Sequence, residues 1–264
     1  MNRITGFLII IIMAAASCTG GPEHLPGGKV VVLLYHRISE GAAANLYERS
    51  AADFEADLQF LKENNISVIS FEELEEAFSS GKMPSGDAAI ITFDDGDNSW
   101  LTRVKPLLIE YRMKAAFFLW VSRIGTDSYL SWEEVTCMSH YMDEDGIRPF
   151  TFGSHTMSHQ YLLGIKAATP DPAEYNRYLD EELGSSALII EKYTSSDVSV
   201  LALPFGDGAG DEDIIAAAVR NGYSFIRTSE RGAVSSTDAD PFRIPSLPML
   251  NDTDPVSILT WLGR

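Results

Sequence analysis

The chain has 264 residues, 45% hydrophobic and 22% charged, which excludes a disordered or fibrous protein and suffices for one large domain or two small ones. Lys and Arg number 20 against 38 Asp and Glu, a formal charge of -18 that repels phosphate backbones and argues against nucleic acid as a partner. Two cysteines, Cys18 and Cys137, rule out a disulfide framework, so stability must come from packing.

The N-terminus carries a short basic start, an apolar run over residues 7–16 and the small Ser17 before Cys18, the layout of a secretory signal over residues 1–17. The run is shorter than the ~20 apolar residues a bilayer span needs. Ala15-Ala16-Ser17-Cys18 resembles a bacterial lipoprotein signal, which implies a membrane anchor through a lipid on Cys18. Ordinary signal-peptidase cleavage or an uncleaved anchor are the alternatives. Residues 18–28 are rich in Gly and Pro and read as a tether. Removal of residues 1–17 takes Arg3 with it and leaves 19 basic against 38 acidic residues, and the working compartment is expected to lie outside the cytoplasm.

From Lys29 to Arg264 short apolar runs alternate with amphipathic segments, with no repeat and no second linker, so a single domain is expected over 29–264. Strands are predicted at 30–35, 67–70, 88–93, 115–121, 149–152, 198–203, 223–227 and 242–244. Most are uniformly apolar, as strands covered on both faces should be. Helices are predicted at 51–64, 71–78, 98–112, 131–141, 173–193 and 211–221. Seven or eight such units point to an α/β fold, a distorted (β/α) barrel of seven or eight parallel strands, whose chemistry belongs at the C-terminal strand ends.

Four strand ends carry reactive groups. The strand at 88–93 runs into Asp94-Asp95-Gly96, two adjacent carboxylates that are costly beside an apolar strand unless something such as a metal ion stabilises them. Strand alternation would let one ligate an ion while its neighbour acts as a base; an exposed acidic turn is the alternative. The strand at 149–152 leads to His155 and His159, whose spacing stacks two imidazoles on one face of a helical turn. Asp95, His155 and His159 would leave one position open on a catalytic ion, with zinc, cobalt, manganese, iron or nickel all compatible. His36 ends the first strand, as a rim residue or as a core histidine. Pro204-Phe205-Gly206 ends the strand at 198–203, as an ordinary turn or as one that aims a backbone N–H at an oxyanion. Ser131 is expected to cap the helix begun by Trp132, and Cys137 to be a buried core thiol.

These elements, in this order, resemble the polysaccharide deacetylases of carbohydrate esterase family 4, which share the NodB homology domain, over residues 30–262. Thr92-Phe93-Asp94-Asp95-Gly96 matches the first motif, implying Asp94 as general base and Asp95 as metal ligand. His155-Thr156-Met157-Ser158-His159 matches the second, implying two histidine ligands, with zinc the first choice of metal. The third motif usually has an Arg two residues before its Pro-Tyr that orients the base; here Ala202 and Phe205 stand instead. No histidine follows His159, where many members place the catalytic acid. Both departures resemble the subgroup acting on poly-β-1,6-N-acetylglucosamine, in which a Tyr-His motif similar to Tyr35-His36 takes the acid role.

The resemblance implies metal-assisted removal of N-acetyl groups from an extracytoplasmic polysaccharide containing N-acetylglucosamine, by a monomer whose oxyanion donor is the Phe205 N–H. A non-catalytic glycan-binding lipoprotein and an O-acetyl esterase are the competing expectations. The stretches 41–50 and 164–173 are expected to shape the groove.

Overall fold

A computed structural model describes residues 27–264. The predicted signal, Cys18 and most of the predicted tether lie outside the described residues. Val30–Tyr35 forms β1, in which all six residues are buried. Two short strands, β2 (Arg37–Ser39) and β3 (Glu48–Ser50), pair parallel and lead into helix α1 (Ala51–Glu63). Next come β4 (Ser67–Val68), α2 (Phe71–Ser80), β5 (Ala88–Asp95), α3 (Lys105–Tyr111), β6 (Ala115–Leu119), α4 (Trp132–Ser139) and β7 (Phe150–Ser154). The second half holds α5 (Leu162–Ala168), α6 (Pro172–Leu179), α7 (Ser185–Thr194), β8 (Val200–Ala202), α8 (Glu212–Arg220), β9 (Phe225–Arg227), β10 (Leu247–Pro248) and α9 (Val256–Leu262).

The main sheet is parallel in the order β10-β1-β5-β6-β7-β8-β9, with β4 beside the start of β5. It curls into the expected distorted (β/α) barrel. Ile244 bridges to Arg227 just before β10 joins β1, so one short stretch links the two edge strands.

Alternation along the strands divides the core in two. Val31, Leu33, Ala89, Ile91 and Phe93 face outward into the large cluster shared with the helices. Val30, Val32, Ala88, Ile90, Ala116, Phe118, Val200 and Phe225 face into the curl, where Phe71 and Leu74 of α2 join them. Gly153 of β7 permits a close approach, since a Cβ there would sit 2.5 Å from the Phe118 ring.

The interior rows end in the groups of chemical interest. On β1 the series Val30, Val32, Leu34 continues to His36, and on β5 Ala88, Ile90, Thr92 continues to Asp94. The register Val30↔Ala88 through Tyr35↔Phe93 holds the two rows side by side.

Several predicted elements change in detail. The strand predicted at 67–70 stops at Val68 because Ser70 caps α2 in a capping box with Glu73. The strand predicted at 242–244 is instead a single 3-10 turn, Pro241–Arg243, capped by the Asp240 carboxylate, and β10 takes its place in the sheet. The helices predicted at 98–112 and 173–193 each contain a wider turn, Trp100–Val104 and Asp180–Gly184, and α5 occupies part of the predicted loop 164–173. Ser131 caps α4 as expected. Cys137 is exposed, not buried: Val135 and Met138 occupy the inward face of α4, and Cys137 falls on the other side, 3.9 Å from Lys105 Nζ. Among the described residues no helix is long and apolar enough to cross a membrane.

Candidate active site

A cleft of about 570 Å³ opens at the C-terminal ends of the strands. Its lining includes all six residues singled out from the sequence: His36, Asp94, Asp95, His155, His159 and Phe205. Asn45, Tyr47 and Glu48 of the predicted groove stretch 41–50 also line it, whereas residues 164–173 do not.

Strict alternation would send the carboxylates of Asp94 and Asp95 to opposite faces of β5. Asp95 departs from extended geometry with φ +88°, and Gly96 follows at φ +104°. The kink brings both carboxylates to the same imidazole, with Asp95 Oδ1 3.6 Å and Asp94 Oδ2 3.8 Å from His155 Nε2. Glycine suits position 96 because its φ of +104° lies where side chains are strained, and a Cβ there would also press on Ile124 Cδ1.

His155 and His159 do not sit on the helical turn their spacing predicts. The segment after β7 is irregular, with Thr156 at φ +63° and His159 at φ +57°. Polar bonds hold it in that shape: Thr156 N–H donates to Ser154 Oγ, and His159 N–H to Thr156 Oγ1. The Ser158 N–H (2.9 Å) and hydroxyl (2.6 Å) donate to the Glu182 carboxylate, while Met157 N–H donates to the Glu182 carbonyl. Glu182 lies on the wide turn between α6 and α7, which carries this buried carboxylate beneath the histidine loop.

The donor set fits a small divalent ion. His155 Nδ1 lies 2.8 Å from the Ala202 carbonyl, a bond that places the proton on Nδ1 and leaves the Nε2 lone pair facing the cleft. His155 Nε2 and His159 Nε2 are 3.1 Å apart, and His159 Nε2 lies 3.5 Å from Asp95 Oδ1. A tetrahedral ion bound at ~2.0–2.1 Å separates its ligand atoms by about 3.4 Å, which is the spacing seen. Burial pushes the His155 imidazole down to about 3, so it stays neutral. Burial first, and then the neighbouring Asp94 charge, push the Asp95 carboxyl up to about 6 despite the lowering influence of His36, a strain that a cation would relieve.

Asp94 is 2% exposed. Burial acts to raise its carboxyl, but the Arg227 charge, followed by His155 and His36, outweighs it and holds the group below the ordinary carboxylate range. Arg227 Nη2 donates to Asp94 Oδ2, while Oδ1 is buried without a partner among the described residues. Arg227 was missed in the sequence, although a charge closing the apolar run 223–227 was visible there. Its place is explained by register: Ala202 of β8 pairs directly with Arg227 of β9. The guanidinium absent at Ala202 is thus supplied from the adjacent strand at the same height, over the Phe118 ring.

His36 is held by its backbone, whose carbonyl accepts from Trp100 Nε1 at 2.9 Å, and its ring meets the edge of Tyr47 at 5.5 Å. Phe205 adopts φ +58° in the turn after β8, with its side chain turned outward.

A barrel with two carboxylates and two imidazoles at its strand ends, three of the four groups spaced to hold a divalent ion and the fourth clamped by a guanidinium, has the parts a metal-assisted hydrolase would need. The family model for polysaccharide deacetylases matches residues 81–226, more than half of the chain, and the chain belongs to that family, whose members are hydrolases. It is 28% identical over 207 residues to YxkH of Bacillus subtilis, spanning 78% of this chain and 67% of that one. It is 26% identical over 218 residues to the poly-β-1,6-N-acetyl-D-glucosamine N-deacetylase of Staphylococcus epidermidis, spanning 82% and 73% respectively. The fold is shared with the Streptococcus pyogenes deacetylase PplD, solved in complex with acetate, at a TM-score of 0.74 and 21% identity over 89% of this chain and 99% of that one.

Proposed function

We propose that this protein hydrolyses N-acetyl groups of an N-acetylglucosamine polymer outside the cytoplasm, using a divalent ion held by Asp95, His155 and His159. The observation that carries the reading is the buried Asp94 carboxylate, clamped by Arg227 at Oδ2, the oxygen 3.8 Å from His155 Nε2, with Oδ1 left without a partner among the described residues. The S. epidermidis relative makes β-1,6-linked polymer the first substrate to test.

When bound, the ion supplies Lewis acidity to the acetyl carbonyl and lowers the pKa of a nearby water, toward about 7 for zinc. Asp94 takes the proton of the attacking water, and the Arg227 bond to Oδ2 keeps the carboxylate in place. The water oxygen bonds to the acetyl carbon, and the Phe205 N–H stabilises the oxyanion that develops. His36, in its protonated form, donates to the nitrogen as the C–N bond breaks, giving acetate and a free amine. In this reading Arg227 stands in for the Arg that the third motif usually carries at the position of Ala202, and His36 for the C-terminal histidine.

The reading extends to the predicted signal 1–17, a lipid on Cys18, the tether 18–28, the catalytic domain 29–264 and a monomeric state. The test is acetate release by the metal-stripped and then zinc- or cobalt-loaded protein on β-1,6 and β-1,4 N-acetylglucosamine oligomers. Metal-dependent release supports the reading and reports linkage. A folded, metal-loaded protein that releases no acetate from either overturns it.

A further inference from the structure

The cleft wall that carries His159 is a continuous run of rings. Trp120 stacks on the His159 imidazole with centroids 4.5 Å apart, His159 meets Phe205 edge-on at 4.7 Å, and Phe205 stacks on Tyr161 at 4.1 Å with 9° between the planes. Phe205 and Tyr161 are each 54% exposed. Leaving two rings in water forgoes the burial that core rings gain, and Phe205 does so in a left-handed conformation that non-glycine residues seldom adopt. Among the described residues the exposed large aromatics are Tyr47, Tyr161 and Phe205, and all three lie at this cleft: two line it and the third stacks on its edge.

The outer ring is held in place. Tyr161 precedes α5, and its carbonyl accepts from Ile165 N–H in the first turn of that helix. Leu163 N–H donates to Asp207 Oδ2 at 2.7 Å, which ties the start of α5 to the turn bearing Phe205. The Tyr161–Phe205 stack is therefore fixed between two bonded segments before any ligand arrives.

We propose that Tyr161, backed by Phe205, is a second sugar subsite that stacks on the C–H face of the pyranose next to the one losing its acetyl group. A pyranose with equatorial substituents presents an apolar face and a polar edge, and an exposed ring at the rim of a wet cleft takes the face while leaving the edge in water. The inference rests on the glycan reading above. It adds the side chain that holds the neighbouring sugar.

The test measures binding of N-acetylglucosamine monosaccharide and β-1,6 tetramer by calorimetry to the full chain in an Asp94→Asn background, where turnover does not interfere. Tyr161→Leu keeps an apolar contact for Phe205 but removes the flat face, and Tyr161→Phe restores it. Tetramer affinity is expected to fall about five- to tenfold in Tyr161→Leu and to recover in Tyr161→Phe, with monosaccharide affinity changing less than about twofold. In the enzyme with Asp94 intact, Tyr161→Leu should raise KM for the tetramer more than it affects hydrolysis of a small acetyl ester. Equal tetramer affinity in folded Tyr161→Leu, or a protein that binds tetramer no more tightly than monosaccharide, overturns the subsite. Binding that follows the expected pattern without acetate release from the Asp94-intact protein sinks the deacetylase reading and leaves the subsite standing.

Discussion

Arg227 clamps Asp94 across the barrel interior, from a strand position in direct register with Ala202. Both side chains are almost wholly buried, so the bond acts with little solvent screening. Replacing Arg227 with Met should lower kcat for acetate release about 100-fold, because Asp94, the proposed base, loses both its orientation and the charge that keeps it ionised. Arg227→Lys should recover part of this. Without the guanidinium, burial raises the Asp94 carboxyl unopposed by its main counter-charge, so the base is protonated over a wider acid range. The acid limb of kcat/KM should therefore move to higher pH in Arg227→Met. A pH profile unchanged from wild type would assign Arg227 a purely structural role.

The proposed base, Asp94, and the proposed acid, His36, should separate by substrate. Asp94→Asn is expected to lower acetate release by about 10²–10⁴ on any substrate, since the nucleophilic water loses its base. Metal affinity should survive, because the proposed ligands are Asp95, His155 and His159. His36→Gln should cripple amide hydrolysis, in which the departing amine needs a proton, yet cost less than about tenfold on a 4-nitrophenyl acetate ester, whose leaving group needs none. Equal losses on amide and ester would remove His36 from the acid role.

Metal removal should affect stability as well as activity. Asp94 and Asp95 both approach His155 within 3.8 Å, and the burial that pushes Asp95 up to about 6 is unfavourable for a bare carboxylate. Dialysis against a chelator should abolish acetate release, and zinc or cobalt should restore it. An ion present at 100 times its Kd adds about 2.7 kcal/mol to the folded state, so the melting temperature should rise by several degrees on reloading. His159→Ala should flatten that rise, and a metal-induced shift that persists in this variant would place the ion elsewhere.

The apolar strands and their order were legible because burial on both faces leaves an unmixed hydrophobic signal. The residues gathered in the cleft were legible because each stands where such a strand ends. What was hidden depends on register and on local backbone. Arg227 reaches Asp94 only because β8 and β9 pair as Ala202↔Arg227, which no local pattern reveals. Glu182 is aimed at Ser158 by a wide helical turn, and the residues around it read simply as helix. The His155–His159 spacing suggested a helical turn, but side-chain bonds and two left-handed residues build the loop instead. Cys137 was misplaced because a thiol's usual preference for the core says nothing about which face of α4 it occupies.

One wall of the cleft depends on a buried ion pair away from the chemistry. Arg49 of β3 bonds both oxygens of Asp57 on α1, Tyr35 donates its hydroxyl to Asp57 at 3.0 Å, and a further Arg49 nitrogen donates to the Leu250 carbonyl at 2.6 Å. The side chains of Arg49 and Asp57 are 4% and 0% exposed. Asp57→Ala strands the Arg49 charge in the interior and should destabilise the protein by about 3–5 kcal/mol. Pairing Arg49→Met with Asp57→Leu removes both charges together and should cost clearly less than the single change. β3 begins with Glu48 and follows directly on Tyr47, both of which line the cleft, so a folded Asp57→Ala protein should also show a raised KM for oligomers. Denaturant melts of the two variants, with KM measured on each, decide the matter: a double variant no more stable than Asp57→Ala would show that the packing around Arg49, and not its charge, holds this wall.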